Sequence, residues 1–132
     1  MSEIRVPVSP GEMIDKITIL EIKSERIADP AKVTNVRREL ELLRATWADS
    51  AYATHDISAD QAALKQVNEK LWAIEDAIRD KERAGAFDAE FIELARSVYF
   101  DNDERAAIKR RINLALGSDL VEEKSYADYG RG

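Results

Sequence analysis

Residues that interrupt helices are confined to a few places in this chain, and their spacing limits what the chain can fold into. Proline occurs only at positions 7, 10 and 30, and glycine only at positions 11, 85, 117, 130 and 132. Because these two residue types are the least favourable inside a helix, the long stretches between them are free to become helical. Alternating apolar and polar residues before Pro7 predict a short extended N-terminal arm.

The apolar period and the capping residues predict four helices in one domain over residues 1–132, at about 10–28, 30–49, 59–84 and 89–116. Side chains that can cap a helix start stand at Ser9, Asp29, Ser58 and Asp88. Pro10 and Pro30 fit the first helical position, where the missing N–H loses no hydrogen bond. Short connections between long amphipathic helices favour antiparallel neighbours. The expected fold class is therefore an all-α antiparallel bundle with a C-terminal tail.

The composition argues against several classes of protein. The chain has no Cys and a single His, so it lacks the ligands of a thiolate or His-rich metal site. Its formal net charge of −6 argues against a nucleic-acid binder, which usually carries an excess of Lys and Arg. No stretch resembles a signal peptide or has the length and apolar character of a membrane span. We therefore expect a cytoplasmic protein without membrane association, metal centre or cofactor.

Polar residues interrupt the apolar stripe of the fourth predicted helix. Its core-facing positions are, in order, Phe91, Leu94, Val98, Asn102, Arg105, Ile108 and Ile112. Asn102 and Arg105 thus occupy consecutive turns where the period predicts apolar residues, and functional sites in bundles are built from such inward polar side chains. The run Asp101-Asn102-Asp103 is also poor helix material, so a local break of the helix near residues 99–105 is the alternative.

Polar residues that flank the apolar stripes form a candidate ligand-binding set. Its members are Lys16, Glu21, Asn68, Glu75, Tyr99, Asn102, Arg105 and Lys109. If they converge, the cations bind a small anionic ligand and the acidic groups serve as acceptors or acid–base groups. If they pair with each other, Arg105 forms a structural ion pair with Glu75 or Glu21 that fixes the helix register. A ligand site requires Asn102, Arg105 and Glu75 to line a solvent-reachable cavity, which separates the two hypotheses.

Acidic pairs at helical spacing, such as Glu12/Asp15 and Glu90/Glu93, raise a further hypothesis. Carboxylates of this kind can hold Mg²⁺ in a helical nucleotide hydrolase. The chain contains 26 acidic residues, so such spacings also arise by chance and most are expected to face solvent. A Mg²⁺-dependent nucleotide hydrolase is therefore the second alternative, behind a small-ligand site.

Several stretches of the chain are distinctive. They are VPVSPGEMIDKITILEIK at 6–23, LWAIED at 71–76, ARSVYFDND at 95–103 and EEKSY at 122–126. Together they resemble a family of small bacterial proteins that is known only as a domain of unknown function. The resemblance spans nearly the whole chain and implies a bacterial source and a free-standing domain. It implies no catalytic residues, because it comes with no established activity.

The leading functional prediction is an interaction or accessory protein, because the charged bundle has no recognisable catalytic set. Tyr126 and Tyr129 in the polar tail are expected to dock on the bundle or to contact a partner subunit. A second copy of the chain, forming a homodimer, or another protein is the expected partner. The alternative is an enzyme or binder of a small anionic ligand held in a polar pocket inside the bundle.

Overall fold

A computed structural model describes residues 2–125 and forms four helices, with no strand among those residues. The helices are α1 (Pro10–Arg26), α2 (Pro30–Ala48), α3 (Ser58–Ala84) and α4 (Ala89–Ala115). The predicted all-α fold class is confirmed. Helix α4 continues through residues 99–105 without interruption, so the alternative of a local break there is wrong.

Side-chain caps explain where most of the helices begin. Ser9, Asp29 and Asp88 each accept a hydrogen bond from a backbone N–H in the first turn of the helix that follows, as the sequence predicts. The prediction is wrong for Ser58, which is the first residue of α3 and not its cap. Its hydroxyl donates instead to Asp56 Oδ1 at 2.7 Å, so the turn before α3 uses this side chain.

Two helices end at a glycine with a positive φ. Gly85 follows α3 and Gly117 lies just beyond α4, each with a φ of 65°, a conformation that other residues rarely adopt. After the end of α4, the Ser118 N–H donates to the Asn113 carbonyl at 2.9 Å, as in a Schellman motif. Helix α1 ends at Arg26, where the C-cap residue Ile27 leaves the helical conformation with a φ of −78° and a ψ of 129°.

Helix α1 lies at the centre of the fold and contacts each of the other helices. Helices α3 and α4 form an antiparallel hairpin beside it, as the ion pairs Asp60–Arg111 and Lys81–Asp88 indicate. Of the helices in the described range, α2 packs against α1 alone. The bundle therefore consists of a three-helix unit, formed by α1, α3 and α4, and of α2, which packs on the outside of α1.

The core lies at one end of the α3–α4 hairpin. Its buried apolar side chains are Ile14, Ile17, Leu20, Leu40, Leu64, Val67, Ile108 and Ile112. Helix α1 has 17 residues, whereas α3 and α4 have 27 each, so α1 covers only part of the hairpin. Across the stretch 69–107, all of which is described, no residue is buried. We call residues 69–107 the distal hairpin.

Two further predictions concern the tail and the membrane. Tyr126 and Tyr129 lie outside the described residues, so their docking stays a prediction. Across residues 2–125, no helix combines the length and the apolar character that a membrane span requires.

Leu64→Ala tests whether this core sets the stability of the chain. Leu64 is fully buried, so its truncation loses transfer free energy and leaves a cavity. We expect the free energy of unfolding, measured by urea denaturation, to fall by about 3 kcal/mol. The control Leu42→Ala makes the same change on α2, where the side chain is 50% exposed. It should change the free energy of unfolding by less than about 0.5 kcal/mol, and equal losses would contradict this core.

Candidate functional site

An ion pair between Asp15 of α1 and Arg105 of α4 is the centre of a polar network in the core. Asp15 is 1% exposed, and both of its carboxylate oxygens accept hydrogen bonds from the guanidinium. Arg105 Nε donates to Oδ1 at 2.9 Å, and Nη2 donates to Oδ2. This two-point contact is the strong form of a carboxylate–guanidinium pair. It raises the pKa of Arg105 although burial acts in the opposite direction, so this residue stays charged.

Asn68 connects α3 to this ion pair. Its buried amide nitrogen donates to Asp15 Oδ1 at 2.9 Å and to Thr18 Oγ1 at 3.0 Å. The Thr18 hydroxyl in turn donates to the Asp15 backbone carbonyl at 2.9 Å. Asp15 therefore accepts hydrogen bonds from side chains of α3 and α4, and these donors compensate the burial of its charge.

Lys109 is a second cation, one turn further along α4. Its side chain is 9% exposed, and Nζ lies 2.7 Å from both Glu12 Oε2 and Glu122 Oε2. Burial alone would lower the pKa of Lys109, but the hydrogen bonds to the two glutamates and the charge of Asp15 outweigh it, so the pKa lies above its ordinary value. A general base needs an unprotonated form near neutral pH, and Lys109 does not provide one.

A close contact at Gly11 holds the start of α1 against α4. The Gly11 N–H donates to Asn113 Oδ1 at 2.7 Å. A Cβ at position 11 would collide with the Lys109 carbonyl oxygen and lie 3.0 Å from Asn113 Oδ1, so a larger residue would push the helices apart. This contact fixes how α1 is placed along α4, and so it aligns Glu12 and Asp15 with the two cations of α4.

The structure brings five of the predicted site residues together. Asn68, Arg105 and Lys109 belong to the buried network, within hydrogen-bond or ion-pair distance of its carboxylates. Asn102 and Glu75 line an open cavity together with Arg105. This cavity meets the structural condition that the ligand hypothesis sets.

The other predicted residues lie elsewhere. Lys16 is exposed on α1 and forms a loose ion pair of 3.7 Å with Glu12. Glu21 faces α2, where its carboxylate pairs with Arg44 at 2.7 Å. Tyr99 is exposed and packs edge-on against the ring of Phe100. Their helical positions are adjacent to the apolar stripes, but α1 and α4 meet through a different face.

Arg105 pairs with Asp15, whereas the sequence-based hypothesis of a structural ion pair named Glu75 or Glu21. Glu75 instead pairs with Arg79 on the surface of α3, at 3.3 Å. Sequence reasoning missed Asp15 because it treated this residue as one of many solvated carboxylates. A usable signal was present. One face of α1 carries Gly11, Asp15, Thr18 and Ile22 at helical spacing, and all of them are buried.

A cavity that we call the distal groove lies where α1 leaves the distal hairpin. Its volume is about 500 Å³, and its apolar wall includes Leu71, Trp72 and Val98. Its polar lining includes Asn102 and Arg105, as well as Glu75 and Arg79 of α3. The groove therefore offers an apolar surface next to a fixed cation.

A second cavity lies on the other side of Asn102 and Arg105, which line both. It has a volume of about 480 Å³ and lies between α4 and the residues that follow it. We call residues 118–125 the strap and this space the strap cavity. Lys109 and Glu122 both line it.

Within residues 2–125 there is no group of three or more His, Asp or Glu residues arranged to hold a metal ion. Glu12 and Asp15, one of the predicted acidic pairs, are already bound to Lys109 and Arg105. The hypothesis of a Mg²⁺-dependent nucleotide hydrolase gains no support from this arrangement.

Asp15→Asn tests whether the network holds the helices together. The variant leaves Arg105 without its counter-charge. It also places an amide where the side chains of Arg105 and Asn68 both donate hydrogen bonds. Removal of one partner of a buried ion pair is strongly destabilising. We expect the free energy of unfolding to fall by about 3 kcal/mol in urea denaturation. Glu21→Gln removes a carboxylate from a more exposed pair and should cost less than about 1 kcal/mol. If both variants lost the same free energy of unfolding, the buried network would contribute no more than a surface ion pair.

The stability contributed by Lys109 should depend on pH. Because its pKa is raised in the folded state, this contribution is complete below the pKa of an unfolded lysine, about 10.4, and is lost as the pH rises through the higher folded-state pKa. The difference in unfolding free energy between the unmodified chain and Lys109→Met should therefore be constant from about pH 7 to 9 and shrink above about pH 10.4. Lys16→Met, on the surface of α1, controls for general alkaline effects. A difference that stays constant to about pH 11 would contradict the assignment.

Among models of protein families, that of DUF6165, a family of unknown function, matches residues 4–129 of this chain. Searches of the curated proteins and of the solved structures found no match. The matched range contains all four helices and every residue of the buried network, and it confirms the family resemblance predicted from the sequence. The chain belongs to the DUF6165 family of proteins of unknown function.

Proposed function

We propose that this chain is an interaction protein that self-associates through the distal hairpin, with a second copy of the chain in the distal groove. One observation carries the proposal. The stretch 69–107, described in full, contains no buried residue, although apolar side chains recur along both of its helices. Among residues 2–125, this is the part of the fold that lacks a covering layer.

Beyond the reach of α1, the distal hairpin presents an apolar stripe that no third helix of residues 2–125 covers. Half-buried side chains of this stripe are Leu71, Trp72, Ile74, Ile78, Phe91, Leu94 and Val98. Nearer the core, α1 packs over the same two helices, and Leu64 and Ile108 are buried there. Two helices that pack only on each other leave part of their apolar faces in water, and stable folds cover such faces with another layer.

Charges next to this stripe favour a second copy as the covering layer. Glu75 and Arg79 both line the distal groove and are related as i and i+4 on α3. In the contact that we propose, the twofold axis crosses α3 between these two residues, so the two α3 helices run antiparallel and Glu75 of one copy faces Arg79 of the other. Each copy then supplies both members of the pair, which is the self-complementarity that such an interface requires. Two hairpins packed in this way form a four-helix bundle.

Light scattering after size-exclusion chromatography tests the proposal on the full chain, and the expected state is a dimer. Val98→Asp puts a carboxylate on the apolar wall of the groove and should weaken the dimer at least about tenfold, because a buried unpaired charge is costly. Leu114→Asp introduces the same charge on α4 outside the distal hairpin, at a side chain that is 62% exposed. It should leave the dimer intact. A strict monomer, or equal dissociation by both variants, would overturn the proposal.

A pair of charge reversals tests the second copy directly. Arg79→Glu places like charges opposite each other across the twofold axis and should shift the equilibrium toward monomer. Arg83→Glu is the matched control, since Arg83 also forms a local ion pair on α3, at 3.0 Å from Asp80. Circular dichroism confirms that both variants stay helical. Dissociation by Arg83→Glu to the same extent would indicate a general charge effect and contradict the proposed contact.

The cations of the buried network support a binding role more than a catalytic one. Arg105 and Lys109 both have raised pKa values, so both keep their protons at neutral pH. A cytoplasmic location and a different protein as partner stay predictions of the sequence.

A further inference from the structure

We propose a second site, separate from the dimer contact, that binds an oxyanion in the strap cavity. Lys109 and Arg105 are its cations, and the Glu122 carboxylate is an internal competitor for the same position. The ligand is a small molecule that carries a phosphate or a carboxylate group. Opening of the strap admits it.

Three ion pairs hold the strap along α4. They are Glu122–Lys109 at 2.7 Å, Glu123–Arg110 at 3.1 Å and Lys124–Asp103 at 2.7 Å. The strap has no helix or strand, and the side chains of Glu122 and Glu123 are 52% and 74% exposed. The Glu123–Arg110 pair is exposed and therefore weak. The contact of Glu122 with the buried Lys109 ammonium is the one that the incoming oxyanion replaces.

The Glu122 carboxylate marks the place that an oxyanion takes. The buried ammonium of Lys109 donates to Glu12 on one side and to Glu122 on the other. Glu12 belongs to α1 and is fixed by the packing of that helix, whereas Glu122 comes from the strap. An incoming phosphate or carboxylate therefore replaces Glu122 and leaves the contact with Glu12 in place.

Arg105 supplies the second cation of the site. Its bonds to Asp15 use Nε–H and one Nη2 N–H, so the Nη1 amino group has no hydrogen-bond partner among residues 2–125. Because Asp15 fixes the guanidinium plane and Arg105 lines the strap cavity, these remaining donors are held in position before a ligand arrives.

The charge and size of the cavity are compatible with this ligand. Once Glu122 leaves, Glu12 and Asp15 balance Lys109 and Arg105, so the anion substitutes for a charge that the cluster has just lost. The volume of about 480 Å³ is within the range of small-molecule sites. Asn102 of α4 lines the same cavity and adds an uncharged hydrogen-bonding group that stays in place when the strap opens.

Calorimetric titration of the full chain with inorganic phosphate and, separately, with acetate tests the site at low ionic strength. Glu122→Gln removes the competing charge and should bind phosphate about fivefold more tightly than the unmodified chain, the effect expected of a half-exposed charge pair. Glu123→Gln is the matched control. It removes the same charge from the adjacent residue, which also lines the cavity but pairs with Arg110 and not with Lys109 or Arg105. It should change the affinity less than about twofold.

Hydrogen exchange provides a second readout that does not depend on any variant. Phosphate should accelerate exchange of the strap amides in the unmodified chain, because the ligand displaces Glu122 and releases residues 118–125. A response to phosphate but not acetate assigns the site to phosphate groups, and the reverse assigns it to carboxylates. The proposal is overturned if neither anion binds to Glu122→Gln or if both Gln variants gain equally. Unchanged exchange of the strap would also overturn it. Anion binding and dimerisation are measured separately, so either proposal can fail alone.

Discussion

The buried carboxylate of Asp15 is the interaction on which the arrangement of α1, α3 and α4 depends. A carboxylate that is 1% exposed is unfavourable unless its charge is compensated. Compensation comes from the guanidinium of Arg105 and the amide of Asn68, which are on two different helices. A shift of either helix along α1 would leave the charge without donors, so the network selects one register among those that apolar packing alone would allow.

The second constraint is the unequal length of the helices. Helix α1 has 17 residues and covers the core end of a hairpin whose helices have 27. Residues near Leu64 and Ile108 are therefore buried, whereas equivalent apolar positions further along the hairpin stay half-buried. The same sequence pattern thus produces a core at one end and an open apolar surface at the other, which is the surface that we propose a second copy covers.

Arg105 and Asn102 stand between the two cavities and line both of them. On one side is the apolar distal groove, and on the other is the polar strap cavity with Lys109. Asp15 fixes the guanidinium of Arg105, so neither cavity needs to order this side chain when it is occupied. The polar residues that break the stripe of α4 therefore lie where the proposed partner surface and the proposed anion site meet the buried network.

The sequence by itself determined the number and class of the helices, most of their boundaries and the inward position of Asn102 and Arg105. These features depend on local capping, on glycine and proline, and on the apolar period of a single helix. Only the tertiary structure decided that Asp15 is the partner of Arg105, since this depends on how closely α1 approaches α4. The contact of Gly11 with α4 sets that approach. The exposure of the distal hairpin was also decided only by the tertiary structure. The apolar period of a helix shows which of its faces is apolar, but it does not show how much of that face a neighbouring helix covers.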